Sequence, residues 1–188
     1  VMVIEDETTR GLRACINANK ALLVAQTSVE RTVTATFTRP ADTTTYAAGD
    51  VVNNSTTAPA VITLSNCAVA NGLGGLITDV MIVTGNPTLP AVLELWLFNV
   101  TVTPDNDNAV FTPTATELGT LQAIIPIGVC YTGDATVGAG GTRVYQTDNA
   151  NRQFKCAGAD TALYGVLVAR NAYVPLSSGV FSFIVKII

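Results

Sequence analysis

Hydrophobic and polar positions alternate with a period of two over most of the chain, the pattern of strands whose successive side chains face opposite sides of a sheet. The clearest case is Leu93-Glu94-Leu95-Trp96-Leu97-Phe98, with Leu93, Leu95 and Leu97 in one row and Glu94, Trp96 and Phe98 in the other. It reads as the central strand. Both rows are largely apolar, whereas an antiparallel strand with a solvated face is polar at every second position, so both faces need a cover. The leucines are assigned to the core, and Trp96 and Phe98 to a subunit interface or a covering loop.

From Arg31 the pattern is β throughout. Val33, Ala35 and Phe37 alternate with Thr32, Thr34, Thr36 and Thr38, a half-buried strand with a threonine outer face that Pro40 stops. Further strands are expected at Val51-Val52, 61–64, 76–83, 121–127, 163–170 and 180–188, and the central run is expected to continue through Val100 and Val102 to Pro104. The segments 143–145 and 153–156 read as two edge strands across a turn at 147–151, and Gly133, Gly138, Gly140 and Gly141 mark the most flexible stretch. Thr114-Ala115-Thr116-Glu117 has the form of a capping box, which predicts a single helical turn. Roughly ten strands with one helical turn and no βαβ alternation predict an all-β fold, an antiparallel β-sandwich, jelly-roll-like, over residues 31–188. The terminal strand has Phe181, Phe183, Val185 and Ile187 in one row, which ties the C-terminus into a sheet.

Residues 1–30 read differently. An apolar start, Val1 to Ile4, is followed by Glu5, Asp6 and Glu7 and then by Arg10, Arg13 and Lys20, while Ala18, Ala21, Leu22, Leu23 and Ala25 suggest a short helix. The segment is either docked on the domain or an N-terminal arm reaching a neighbour, and its charged composition beside a threonine-rich body favours the arm.

Composition narrows the functional classes. A chain of 188 residues fits one sandwich domain that needs neither disulfide nor metal to build its core. Only 13% of residues are charged and 48% are hydrophobic, yet no apolar run approaches the roughly 18 residues of a spanning helix, so no membrane partner is expected. No signal-peptide pattern opens the sequence, and dispersed cysteines without one predict folding in a reducing cytoplasm. Between Arg39 and Arg143 there is no Lys or Arg, only Asp42, Asp50, Asp79, Glu94, Asp105, Asp107, Glu117 and Asp134. That acidic middle argues against nucleic acid, because phosphate binding needs clustered bases. Cys15, Cys67, Cys130 and Cys156 are widely spaced and read as reduced core residues.

The chain contains no histidine, which removes the Ser/His/Asp and Cys/His nucleophile systems and histidine metal sites. Glu94, Asp79 and Glu117 are the candidate carboxylates for glycoside hydrolysis, a weak case in a sandwich with 14 acids. Asp105-Asn106-Asp107-Asn108 resembles the start of a calcium loop, but Val110 stands where that loop needs glycine, so a solvated turn is the better reading. Gly138-Ala139-Gly140-Gly141 lacks the Lys-Ser/Thr of a phosphate cradle. No catalytic residue, cofactor or metal is assigned.

The strings Tyr46-Ala47-Ala48-Gly49-Asp50-Val51-Val52, Leu76-Ile77-Thr78-Asp79-Val80-Met81-Ile82-Val83, Leu93 to Phe98, and Leu163-Tyr164-Gly165-Val166-Leu167-Val168-Ala169-Arg170 resemble a family of small virion proteins of tailed bacteriophages. The resemblance covers about residues 31–188 and carries no site motif. It implies a non-enzymatic head decoration, or cement, protein that binds the major capsid protein on the outside of the head, often as a homotrimer. On that reading Val3, Ile4, Arg10, Arg13 and Lys20 of the arm are the candidate capsid contacts, with Trp96 and Phe98 as candidate subunit contacts. The alternative is a receptor- or glycan-binding head-fibre or tail module, since jelly rolls also serve as lectin domains.

Overall fold

The structure is a computed structural model, and it describes residues 3–5, 13–16, 22–24, 30–85, 91–132, 142–147 and 150–188. Three short strands, β1 (Val3–Glu5), β2 (Arg13–Ile16) and β3 (Leu22–Val24), form an antiparallel sheet of their own in the order β1-β2-β3. The short helix expected around residues 18–25 is corrected in its described part. Leu22–Val24 pairs with Ala14, Cys15 and Ile16 as a strand, in keeping with a run of large aliphatic residues too short to nucleate a helix.

Among the described residues the body has eleven further strands and one helical turn. They are β4 (Arg31–Thr38), β5 (Val51–Val52), β6 (Ile62–Leu64), β7 (Gly74–Gly85), β8 (Leu93–Phe98), α1 (Ala115–Leu118), β9 (Leu121–Ile127), β10 (Val129–Thr132), β11 (Thr142–Gln146), β12 (Arg152–Lys155), β13 (Leu163–Ala169) and β14 (Val180–Ile187). One sheet runs β10-β11-β7-β14-β4 with β12 also on β7, and the other runs β5-β13-β8-β9 with β6 also on β13; every pairing is antiparallel.

Two strands are broken. β5 and β6 lie one after the other along the same edge of β13, at Leu167-Val168 and at 163–165, while β11 and β12 do the same along β7, at 81–85 and 74–77. When each pair counts as one strand, β4 is first and β14 eighth, and the sheets read first-eighth-third-sixth and second-seventh-fourth-fifth. That connectivity is a jelly roll, with β10 added beyond β11. The pairings also correct the expected hairpin: β11 and β12 never pair with each other, and β11 is interior because β10 covers it.

The core lies between the sheets. Leu93, Leu95 and Leu97 of β8 are fully buried there against Ile77, Val80 and Ile82 of β7 and Phe183 and Val185 of β14, so the leucine row faces inward as its period predicts. Strand β13 is buried on both faces, which explains its near-continuous apolar sequence. Gly165 lies where a Cβ would come within 3.2 Å of Leu95 Cδ1 and 3.3 Å of Ile62 Cβ, so glycine lets those side chains meet across the strand.

The outer face of the second sheet is covered by the chain itself. Val51, Phe98, Val102, Val166 and Val168 form a second buried cluster, with Trp96, Phe111 and Leu121 packed against it. The cover is the segment between Phe98 and β9, which leaves the sheet directly after Phe98 and does not continue the strand through Val100 and Val102. It is pinned along β5 by hydrogen bonds from Asn108 N to Val51 O, Val51 N to Ala109 O and Phe111 N to Gly49 O, each 2.8–2.9 Å. The predicted capping box is present: the Thr114 hydroxyl accepts from Glu117 N, and the Glu117 carboxylate accepts from Thr114 N at 2.8 Å and, through its other oxygen, from Thr103 N at 3.0 Å.

Cys67 and Cys156 are free and buried in the main core. Burial pushes the Cys67 thiol up to about 12, so it stays protonated and unreactive near neutrality. Thiol-labelling reagents at pH 8 are expected to modify Cys67 only at the rate of global unfolding; mass mapping that finds it labelled within minutes in the native protein contradicts this packing.

Candidate functional site

The residues assigned to contacts by sequence fall in three places. Val3 and Ile4 lie on β1 and Arg13 on β2, in register as Val3 with Cys15, Ile4 with Ala14 and Glu5 with Arg13. Arg10 and Lys20 lie outside the described residues. The sheet that holds β1 and β2 shares no strand with either body sheet.

Trp96 and Phe98 separate despite their shared face. Phe98 is 0% exposed at the centre of the second cluster, so the contact role assigned to it is corrected: the chain's own covering segment occupies the position that a partner would have taken. Trp96 sits at the rim of that cover and remains partly exposed. Its ring meets Phe111 edge-on at 5.2 Å between centroids, and Nε1 donates to Glu94 Oε2 at 3.1 Å. The same carboxylate oxygen accepts from Arg170, whose guanidinium stands 5.9 Å over the indole. Trp96, Glu94 and Arg170 thus form an indole edge flanked by a carboxylate and a guanidinium. Such a group can stack on an apolar or sugar face and offer hydrogen bonds beside it.

The other carboxylates considered for catalysis are held in structural bonds. Asp79 accepts from Gln146 Nε2 and the Thr147 hydroxyl, and Glu117 caps α1. Backbone N–H groups of Thr114 and Thr103 hold Glu117 below the usual carboxylate range. Among the described residues no group of three or more His, Cys, Asp or Glu side chains could hold a metal ion.

The densest polar constellation was not legible in the sequence. Arg39, at the end of β4, is 2% exposed, and its Nη2 donates to Asp107 Oδ2 at 2.8 Å while Nε donates to the Tyr46 hydroxyl. The Tyr46 hydroxyl in turn donates to Asp107 Oδ1, which also accepts from Asn53 N at 2.7 Å. Arg39 Nη1 reaches Leu176 O at 3.3 Å, and the Tyr46 ring stacks on Tyr173 at 4.9 Å. Three loops, after β4, after β8 and after β13, are therefore tied at one end of the sandwich.

Electrostatics keeps Arg39 charged. Burial alone would lower the Arg39 pKa, but Tyr46 and Asp107 outweigh it and the net shift is upward. Burial, reinforced by Tyr173 and Asp107, likewise raises the Tyr46 phenol, so it stays a neutral donor. The solvated-turn reading of 105–108 is half corrected. Asn108 does adopt a turn with φ 62°, but Asp107 is 5% exposed and Asp105 accepts from Thr112 N at 2.7 Å. Asp107 alternates with Asp105 in sequence, and nothing there distinguishes a buried carboxylate from an exposed one; the one hint was Arg39, the last base before the acidic middle.

Compared with known families and with curated proteins, the chain matches no family model and no curated protein.

Proposed function

We propose that the protein is a non-enzymatic structural protein of a phage virion, a decoration or cement protein that binds the major capsid protein on the outside of the head. The observation that carries the reading is the jelly-roll connectivity joined to a separate N-terminal sheet. Jelly rolls recur in viral capsid and lectin domains, and because a fold hosts many functions the argument needs the site as well. Here Arg39, Asp107, Asp79 and Glu117 are all engaged in structural hydrogen bonds. What such a body offers a partner is surface. Contacts that are individually weak become strong when they repeat over a lattice. In this reading the N-terminal arm, with Val3, Ile4, Arg10, Arg13 and Lys20, reaches the capsid, adding a strand or an apolar contact and pairing its bases with acidic groups.

The test is co-sedimentation of the purified chain with heads that lack it. Removing residues 1–25 is expected to leave the unfolding midpoint of the body unchanged and to reduce head binding at least tenfold. Full binding by the truncated chain sinks the arm assignment, and absence of binding by the intact chain sinks the decoration reading.

A second reading, a glycan- or receptor-binding module, draws on one observation, the partly exposed Trp96 beside Glu94 and Arg170. Quenching or a blue shift of the fluorescence of this only tryptophan on addition of host-surface polysaccharide supports it, provided that Glu94→Gln weakens the response.

A further inference from the structure

We propose that β4 is a self-association edge, along which two copies of this chain pair their first body strands antiparallel about a twofold axis at Ala35. The argument begins with hydrogen-bond direction. Arg39 N donates to Gly179 O at 2.9 Å across the β4–β14 register, so the odd-numbered residues of β4 point their backbone groups at β14. On the far side of β14, Leu76 and Ile188 exchange both backbone bonds, which places the even-numbered residues of β14 toward β7 and confirms the same phase. The backbone N–H and C=O groups of Thr32, Thr34, Thr36 and Thr38 therefore point away from the sheet. No strand pairs with β4 on that side among the described residues.

Natural sheets guard such edges with lysine, proline, bulges or very short strands. β4 carries none of these between Thr32 and Thr38, and its eight-residue register with β14 runs without a break. Open grooves of ≈ 500 and ≈ 490 Å³ follow this edge, against 54–63 and against Ser65 and Asn66. At the first of them Ala35 and Phe37 remain only partly buried against the core.

The sequence of the edge names its occupant. Thr32-Val33-Thr34-Ala35-Thr36-Phe37-Thr38 is nearly the same read in either direction, with Val33 exchanged for Phe37. An antiparallel pair centred on Ala35 sets Thr34 opposite Thr36 and Thr32 opposite Thr38, and these are the residues whose backbone groups point away from β14. On the inner face Ala35 meets Ala35 of the second copy at the axis, and Val33 meets Phe37, so small packs on small and large on medium. Opposed threonines are favourable cross-strand pairs, and no charged side chain lies between the two ends. A twofold, isologous contact is what a self-complementary strand provides. The two larger sheets then become one continuous sheet, in place of the trimer that the resemblance implies.

The axis makes the test specific. Ala35 would form a non-hydrogen-bonded pair with its mate, with Cα atoms about 4.5 Å apart, inside the range that a disulfide spans. Native mass measurement of the full chain is expected to give twice the chain mass. Ala35→Cys is expected to form an interchain disulfide under mild oxidation while Thr32→Cys and the unmodified chain do not. Thr34→Lys with Thr36→Lys, which opposes lysines across the axis on the solvent face, is expected to give a folded monomer with at least tenfold weaker association. A monomer or trimer for the unmodified chain overturns the proposal, as does a dimer that Ala35→Cys fails to cross-link. Both measurements stand even if the lysine variant fails to fold.

Discussion

Asp107→Ala is expected to destabilise the protein by about 3–5 kcal/mol, because removing the buried partner leaves the buried Arg39 charge with only a longer pair to the part-exposed Asp42. Asp107 accepts three hydrogen bonds: Arg39 Nη2, the Tyr46 hydroxyl and the Asn53 backbone all converge on its two oxygens. In its absence Arg39, 2% exposed, keeps its positive charge with only the part-exposed Asp42 at 3.4 Å as counter-ion, and the Tyr46 hydroxyl loses its acceptor. With a urea m-value of roughly 2 kcal/mol/M for a domain of this size, the midpoint should fall by about 1.5–2.5 M. The informative comparison is the double variant Arg39→Met with Asp107→Leu. Replacing both ions by apolar groups removes the stranded charge, so its loss should be well below the sum of the two single losses. A single-variant loss under about 1 kcal/mol would mean that the pair is solvated and that the three loops are held by other contacts.

That network shows where sequence reading stopped. The strands and their inward faces were legible because burial imposes a period: Leu93, Leu95 and Leu97, or Phe181, Phe183 and Val185, could face only one way. The capping box was legible because its chemistry is local, with Thr114 and Glu117 three residues apart. Arg39 and Asp107 are 68 residues apart and meet only because the jelly roll brings the loop after β4 beside the loop after β8. The same topology misled the reading of β11 and β12. Adjacent short strands in sequence suggest a hairpin, yet the twelve-residue β7 is long enough to take both along one edge.

Trp96 and Phe98 show the matching limit for the candidate site. The alternation correctly placed both opposite the leucines, and the need for a cover on that face was a sound inference from their apolar character. Which cover it would be depended on where the chain went after Phe98. Val102 and Phe111 bring the segment back over its own sheet and seal Phe98 completely, leaving only the Trp96 rim. Among the described residues β4 also leaves one side without a paired strand, which side-chain periodicity cannot reveal because it concerns backbone groups.

Deleting the last strand should have the largest effect of all. β14 lies between β4 and β7 and pairs with both over most of its length, so its loss splits the larger sheet and frees the backbone groups of two neighbours at once. It also withdraws Phe181, Phe183, Val185 and Ile187 from the core, all at most 4% exposed. At about 1.5–3 kcal/mol for each buried side chain, these four contribute about 6–12 kcal/mol, comparable to the roughly 5–15 kcal/mol net stability of a whole domain. A chain ending at residue 179 is therefore expected to be unfolded, with no cooperative transition by circular dichroism. Phe183→Ala provides the graded control: it removes one fully buried ring that packs on Phe37 at 5.8 Å, and should cost about 3–5 kcal/mol while keeping the fold. If the truncated chain still melts sharply, the sheet must close around the gap, and β4 would then have to find β7 without the strand that separates them.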